Sequence, residues 1–423
     1  MIRFSHGKWN TKLIYPLLMG FCSFITLLSN KTLRIVPTST EKFFYQKPFL
    51  VAWVMTLSEV CAIFFFKIQQ KRTQKNTKQE RTSEIINGEI IKQKENTLLE
   101  VLPGHNKFSL FLKIIPVCVL DCVSILLLCI MRENKNSFYE LDYKALLIIV
   151  TSIFSFFFLN FKMYWHHKFG TGLILIGISV FTGVEIYITT ISNEDLLCLF
   201  LSVMIQICSG IQETSEKYLI DKKYVSPFMM VAFEGLIGNS IITMMFIPLS
   251  HISCGDKKTT TLLHCNPYSN KEKVIEDIIE SVLFVIRNKQ YIIFLSALFV
   301  SYLLFNIFRI LTNSKCSPTH RAIADILGYF LFWVVRFNSF FKPTKMHEAP
   351  FWLIGGVCYV IIILGVFVYL ELIVINICGF KDNTDEEIMM RGQTENQIML
   401  ESMIQNAPVG HIKEDESVQN INL

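Results

Sequence analysis

The stretch PFMMVAFEGLIGNSIITMMFIPL, residues 227–249, is the part of the sequence that decides the fold class. Within it, Glu234 is the only residue that carries a charged side chain. A helix needs about 20 mostly apolar residues to cross the hydrocarbon layer of a bilayer. Residues 227–249 therefore predict a transmembrane helix.

Ten apolar blocks of this kind divide the chain and predict ten transmembrane helices. Of the 423 residues, 52% are hydrophobic and 18% are charged, whereas soluble domains have roughly 25% charged residues. This composition excludes a soluble globular enzyme and indicates an all-α integral membrane protein. The predicted spans are 12–30, 48–67, 109–131, 142–160, 169–190, 195–216, 227–249, 291–311, 318–337 and 350–375.

Charge and motifs exclude several other functions. The net charge of +5 is too small to indicate nucleic-acid binding. The chain has no Gly-x-x-x-x-Gly-Lys-Ser/Thr loop, which argues against an ATP-driven pump. Its histidines and cysteines lack the spacing of a zinc site, so we expect neither a metal nor a cofactor. His166 and His167 fall in a short cytosolic turn and are expected to be solvated.

The even number of predicted spans puts both termini on one side of the membrane. Of the 40 Lys and Arg residues, 24 lie on that side, ten of them in the connection 67–113. Because positive charge collects on the cytosolic side, we expect cytosolic termini. The polar composition of residues 67–107 predicts a disordered cytosolic loop, and residues 376–423 predict an acidic cytosolic tail.

The connection 250–290 faces the lumen in this topology, and disulfides persist there. It contains Cys254 and Cys265, which we predict to form a disulfide, with two free thiols as the alternative. Apolar residues at helical spacing also predict a helix in this connection. That helix lies at the membrane interface, caps the lumenal mouth of the bundle, or only separates spans seven and eight.

The ten predicted helices divide into five plus five. Residues 1–66 hold helices one and two, and residues 108–190 complete a first repeat with helices three to five. Residues 191–375 hold helices six to ten as a second repeat. Transporters built from inverted repeats bind substrate near the bilayer midplane, at the interface between the halves.

Four groups of motifs follow one another along the chain. With them, the chain resembles the drug/metabolite transporter superfamily, and within it the nucleotide-sugar-transporter-like solute carrier family 35, closest to its F subgroup. The motifs cover nearly the whole chain outside the 67–105 loop and the tail. They are Gln46-Lys-Pro-Phe-Leu with Leu57-Ser-Glu59; Thr151-Ser-Ile-Phe-Ser155; Glu213, Glu216-Lys217, Pro227 and Phe233-Glu234-Gly235-Leu-Ile-Gly238; and Phe305-Asn306, Ser317, Arg321, Asp325 and Trp333.

The resemblance implies the drug/metabolite transporter fold, with two inverted five-helix repeats, cytosolic termini and alternating access of a central cavity. Two positions depart from the family pattern. Lys144-Ala145 stands where relatives tend to have Arg-Gly, and Gly328 stands where they tend to have a second basic residue. Fewer cations in the cavity speak against an anionic nucleotide sugar and favour a neutral or cationic metabolite, amino acid or peptide.

Charged residues inside the spans are candidates for function, because a charge at the bilayer centre costs about 2.5–3.5 kcal/mol. Arg321 and Asp325 lie four residues apart, on one helix face. They form either a structural ion pair or, as the resemblance implies, a cavity site in which Asp325 holds Arg321 for a substrate anion. Lys144 either snorkels at a helix end or touches substrate. Asp121 and Glu185 have many structural uses and are less informative.

Five further residues complete the predicted substrate cavity. Glu234 and Glu59 occupy comparable places in the two halves, and either carry a coupled proton or are protonated packing residues. Gln212 and Asn306 either donate hydrogen bonds to substrate or join neighbouring helices. Trp333 belongs to the core or stacks on a nucleotide base.

These features predict a secondary-active carrier, not an enzyme. It would move a small organic metabolite across an internal membrane, of the lysosome or vacuole or of the Golgi, by alternating access. The alternatives are a nucleotide-sugar transporter proper and a membrane scaffold or receptor that transports nothing. The predicted partners are a small-molecule substrate and the lipid bilayer; a coupled proton, a second copy of the chain and another membrane protein are further candidates.

Overall fold

Helices form nearly all of the described part of the chain. The computed structural model describes residues 2–3, 14–35, 48–72, 74, 107–134, 144, 146–160, 163–188, 193–251, 276, 278–335, 349–369, 371 and 373–375. Its helices are α1 (Ile14–Ile35), α2 (Pro48–Val60), α3 (Lys107–Asn134), α4 (Leu146–Leu159), α5 (Trp165–Ile188), α6 (Asn193–Lys223), α7 (Pro227–Leu249), α8 (Ile278–Arg287), α9 (Lys289–Lys315), α10 (Pro318–Val335) and α11 (Ala349–Tyr369).

Each predicted span overlaps one of these helices. The ends of α7 agree with the predicted span 227–249, whereas α6 and α9 continue past their predicted ends at 216 and 311. After a turn at Cys61, the helix that begins with α2 continues to Arg72, into the segment predicted as a loop.

Six helices in the described residues are long and apolar enough to cross a membrane. They identify the chain as an integral, multi-pass membrane protein, while the count of ten spans stays a prediction. The six are Pro48–Arg72, Ser109–Met131, Trp165–Val184, Leu197–Lys223, Pro227–Leu249 and Lys289–Lys315.

The helices pack in a regular pattern. Helix α1 packs against α9 and α10, and α6 packs against α3 and α4. Helix α2 packs against α7, and α5 packs against α11. One apolar cluster joins α4, α5, α10 and α11, and another joins α2, α3, α7 and α9. Most helices that carry the buried charges described below therefore also share an apolar core.

The predicted helix of the 250–290 connection is present as α8. Its residues Ile279 and Ile286 are 70% and 64% exposed, as expected for a helix with an apolar face toward lipid. Just before it, the Glu276 carboxylate accepts the backbone N–H groups of Phe49 and Leu50, each at 3.1 Å. Glu276 therefore caps the start of α2. The predicted partners Cys254 and Cys265 lie outside the described residues.

A short antiparallel strand pair joins a segment that precedes α1 to a segment that follows α11. Strand β1 (Ile2–Arg3) pairs with β2 (Val374–Ile375). The start of the chain and the segment after α11 therefore lie at the same end of the molecule. Residues 75–106 and 376–423, predicted as loop and tail, fall outside the described part.

The prediction that His166 and His167 are solvated is wrong. His166 and His167 are each 4% exposed. Helix α5 begins at Trp165 and includes both residues, and the His167 ring contacts the Tyr369 ring at the end of α11, with ring centres 4.7 Å apart. The burial of His167 could not be predicted from the polarity of its neighbours in the sequence, because Tyr369, which covers it, is 202 positions away.

Candidate functional site

A small cavity lies among α1, α2, α3, α6, α9 and α10, and has a volume of about 80 Å³. Lys144, which precedes α4, also lines it. Pockets for drug-sized ligands have about 300–1,000 Å³, so this cavity accepts a small group or a few water molecules in the conformation described. Its aromatic lining comes from Tyr302, Phe305 and Tyr329.

One wall of the cavity contains an ion pair between Lys144 and Asp325. The Lys144 ammonium lies 2.8 Å from Asp325 Oδ2, and Ser23 Oγ donates to Asp325 Oδ1 at 2.7 Å. The ammonium also lies 5.6 Å from the centre of the Tyr329 ring. Asp325 therefore joins α1, α10 and the residue that leads into α4.

Arg321 has partners different from the one expected. Its guanidinium pairs with Glu216 through Nη1 and lies 3.2 Å from Glu213 Oε1 through Nε. Both carboxylates belong to α6, so Arg321 does not use Asp325, four residues along its own helix. The predicted Arg321–Asp325 pair is therefore replaced by two ion pairs that run between helices.

Arg309 is a buried cation on α9, two residues before the predicted end of the eighth span at 311. Its guanidinium lies 3.3 Å from Asp121 Oδ1, 3.0 Å from Glu234 Oε2 and 3.7 Å from Glu216 Oε1. These carboxylates come from α3, α7 and α6. One feature of the sequence does indicate this buried cation. Asn306, Arg309 and Asn313 are spaced so that three polar residues lie on one face of α9.

Three amide side chains connect the carboxylates. Gln212 Nε2 donates to Asp121 Oδ1 at 2.6 Å and to Glu216 Oε1 at 2.9 Å. Asn306 donates to Glu59 Oε1 at 2.9 Å. Asn313 donates to Glu216 Oε2 at 3.2 Å and to the backbone oxygen of Glu213 at 2.9 Å. The amides thus act as interhelical hydrogen-bond donors.

Close packing brings Glu59 and Glu234 into the same region. A side chain at Gly235 would collide with the backbone of Val60 and the Cβ of Glu59. The missing side chain therefore lets α7 lie directly against α2. Both carboxylates are fully buried.

The carboxyl groups of this region outnumber its basic groups. Six buried acidic side chains belong to it, and three basic side chains are their partners in the described residues. One oxygen each of Glu59, Asp121 and Glu213 is buried with no hydrogen-bond partner in that part of the chain. The acidic residues are Glu59, Asp121, Glu213, Glu216, Glu234 and Asp325, and the basic residues are Lys144, Arg309 and Arg321.

The structure brings seven of the eight predicted cavity residues into this region. Lys144, Gln212, Arg321 and Asp325 line the cavity. Glu59, Glu234 and Asn306 belong to the connected hydrogen bonds and ion pairs. The side chain of Trp333 lies outside the described part.

Comparison with known proteins points to solute carriers. No family model matches the chain. Solute carrier family 35 member F6 of Pongo abelii is 23% identical over 69% of this chain and 71% of its own length, and that of Mus musculus is 23% identical over 76% and 79%. The Homo sapiens protein of that name is 23% identical over 52% and 57%. A solved crystal structure aligns with 84% of this chain and 96% of its own, at 11% identity and a TM-score of 0.48.

These relatives confirm the resemblance to solute carrier family 35 and its F subgroup. Combined with the six apolar helices, they support a solute-carrier transporter embedded in a membrane by several helices. They favour a transporter over an enzyme.

Proposed function

We propose that this protein is a secondary-active carrier for a small organic metabolite with positive charge, working by alternating access across an internal membrane of the lysosome, vacuole or Golgi. The observation that carries the proposal is the cavity among α1, α2, α3, α6, α9 and α10 together with the charged region around it, in which six buried carboxyl groups outnumber three basic groups. In the proposed cycle, the cavity widens toward one side of the membrane at a time.

The reciprocal packing of the helices supports two inverted five-helix repeats. If α8 is set aside, α1 to α5 correspond to α6, α7, α9, α10 and α11. Under this exchange, the packing of α1 against α9 and α10 becomes the packing of α6 against α3 and α4, and both are observed. The α2–α7 and α5–α11 contacts map onto themselves. The cavity would then lie between the repeats, where such carriers bind substrate.

The balance of charge supports a cationic substrate, a coupled proton, or both. Six carboxyl groups and three basic groups leave three carboxyl groups in excess, and uncompensated charge inside a membrane is costly. Protons or a cationic substrate would remove that cost. The three basic groups already pair with carboxylates, which disfavours an anionic nucleotide sugar.

Asp325 is the residue at which a substrate cation would bind, by displacing the Lys144 ammonium from the ion pair. A positively charged ligand that reaches Asp325 competes with the Lys144 ammonium, 2.8 Å away. Lys144 precedes α4 and Asp325 lies on α10, which are counterparts in the proposed repeats. Exchange of this partner would therefore couple substrate binding to movement between the halves.

The test is a ligand panel on purified full-length protein, read by thermal stability. The panel contains organic cations, amino acids, short peptides, free nucleotides and nucleotide sugars. A ligand at 100 times its dissociation constant stabilises the folded protein by about 2.7 kcal/mol if it does not bind the unfolded chain. We expect a shift with one class of cation, and uptake of that cation by proteoliposomes.

The variant Lys144→Met separates the substrate classes. Because it frees Asp325 from its competitor, we expect it to tighten binding of the cation, whereas it would weaken binding of a nucleotide sugar. Lys217→Met is the matched control, since the Lys217 ammonium pairs with Asp221 at 3.3 Å and donates to the Ser314 oxygen at 3.0 Å, both outside the cavity lining. A shift with nucleotide sugars alone would favour a nucleotide-sugar transporter proper. Stable protein with neither shift nor flux would favour a scaffold or receptor.

A further inference from the structure

A second polar cluster lies outside the cavity lining, where α5 begins and the chain leaves α11. His166 Nε2 is 2.7 Å from Glu371 Oε1, and the rings of His166 and His167 have their centres 4.0 Å apart. One possible ligand atom from each of His166, His167 and Glu371 lies within 4.8 Å of the other two. We propose that these three residues bind a divalent transition-metal ion of the zinc type.

The chemistry of the donors selects this class of ion. Two imidazole nitrogens and one carboxylate oxygen form a ligand set that zinc uses when a fourth position is left for water or another ligand. Calcium and magnesium prefer sites built from oxygen atoms alone. Imidazole ligands suit zinc, copper, iron and nickel, and among these Zn²⁺ has a filled d shell, no redox chemistry and a preference for tetrahedral sites.

The distances allow a tetrahedral site after a small movement of side chains. Zinc bonds of about 2.0–2.2 Å place the ligand atoms of a tetrahedral site about 3.3 Å apart. The present separations of up to 4.8 Å would therefore close by at most about 1.5 Å. The close His166–Glu371 contact would open by about 0.6 Å as the ion enters between the two groups.

The environment of His166 is an independent reason to expect a ligand. Its side chain is 4% exposed, and Nδ1 has no hydrogen-bond partner in the described residues, while Nε2 contacts Glu371 Oε1 at 2.7 Å. A buried polar atom without a partner carries an energetic cost. A metal ion would bind a nitrogen lone pair directly and remove part of that cost.

The end of α11 places Glu371 near the two histidines. Glu371 has a φ of 57°, and its N–H donates to the Val368 oxygen at 3.2 Å, so its left-handed conformation closes the end of α11. This turn follows the end of α11 at Tyr369 and returns the carboxylate toward the first turn of α5. A bound ion would therefore connect the start of α5 to the chain that follows α11.

The experiment uses full-length protein in detergent after treatment with a chelator. Co²⁺ is titrated first because its visible absorption reports tetrahedral ligands, and Zn²⁺ is then added to displace it. We expect one Co²⁺ per chain and its displacement by Zn²⁺. His167→Gln and Glu371→Gln should each weaken Zn²⁺ binding by roughly tenfold or more. His251→Gln is the matched control, because His251 is exposed and lies outside the cluster.

Metal binding is measured without transport. The experiment can therefore refute the metal site without bearing on the proposed carrier function. If the chelator-treated protein binds neither Co²⁺ nor Zn²⁺, the proposed metal site is wrong. Equal affinity in the folded His167→Gln or Glu371→Gln protein would do so as well, since a simple His166–Glu371 ion pair would then explain the contact. If both variants fail to fold, protection of the wild-type histidines by Zn²⁺ against diethyl pyrocarbonate decides the question: protection supports the site and its absence refutes it.

Discussion

Two groups of helix contacts hold this protein together by opposite means. The charged centre consists of Arg309 and Arg321 with the carboxylates of Asp121, Glu213, Glu216 and Glu234. The α5–α11 seam consists of Gly170, Ile174 and Gly177 facing Cys358, Ile362 and Gly365. The first joins five helices through long side chains, whereas the second joins two helices through direct backbone contact.

The contrast teaches which contacts are suited to movement. Arg309 has three carboxylate partners within 3.7 Å, so the loss of one contact leaves two others in place. A Cβ at Gly170 would lie 2.7 Å from the Gly365 oxygen, so the seam leaves no space for an alternative arrangement. We therefore expect the charged centre to rearrange during a transport cycle while the α5–α11 seam keeps its geometry.

The largest expected effect follows from removal of Arg309. Arg309→Met leaves Asp121, Glu216 and Glu234 without this shared cation, and loss of one partner of a buried ion pair costs about 3–5 kcal/mol. The free energy of unfolding of the purified protein in detergent measures this loss. Protein as stable as the wild type would show that the charged centre does not hold the helices together.

Arg309→Lys tests whether the fork of the guanidinium is needed. Lysine keeps the charge but offers a single ammonium, which cannot donate to Asp121 and Glu234 through two separate nitrogens. We expect a smaller loss of stability than in Arg309→Met. A loss equal to that of Arg309→Met would assign the effect to geometry rather than to charge.

The same region shows where prediction from sequence ends. The bounds of α7 could be predicted because residues 227–249 form one mostly apolar block in which Glu234 is the single charged residue. The predicted end of α6 at 216 falls seven residues before the observed end at Lys223, because Glu213 and Glu216 interrupt the apolar sequence. Their cost is offset by Arg309 and Arg321, which lie on α9 and α10. A single sequence does not reveal which distant helix supplies such a partner.

The next effect in size concerns the α5–α11 seam. Gly170→Ala places a Cβ 2.7 Å from the Gly365 oxygen and 2.8 Å from the Tyr369 nitrogen, so both backbones must separate. Overpacking of this kind costs about 1–3 kcal/mol. Unfolding in detergent again measures the change, and uptake by proteoliposomes shows whether the remaining folded protein still transports.

Gly172→Ala is the matched control, two residues further along α5. Among the described residues, no atom beyond the neighbouring residues and backbone of α5 itself lies within 4 Å of a Cβ at this position. Alanine also favours a helix over glycine by roughly 0.5–1 kcal/mol, so we expect unchanged or slightly higher stability. An equal loss in both glycine variants would mean that close approach to α11 is not the reason for glycine at 170.

The smallest expected effect tests whether the charged region needs every one of its neutral donors. Ser23→Ala removes the 2.7 Å hydrogen bond to Asp325 but leaves the Lys144 ion pair in place. Hydrogen bonds between membrane helices contribute about 0.6 kcal/mol on average and up to about 1.7 kcal/mol, and we expect a loss of stability in this range.

Thr26→Val is the control on the same helix, because the Thr26 hydroxyl donates to the Cys22 oxygen of α1 itself and joins no second helix. Ser23→Ala should therefore cost more than Thr26→Val, and the reverse order would show that Asp325 is held by Lys144 alone.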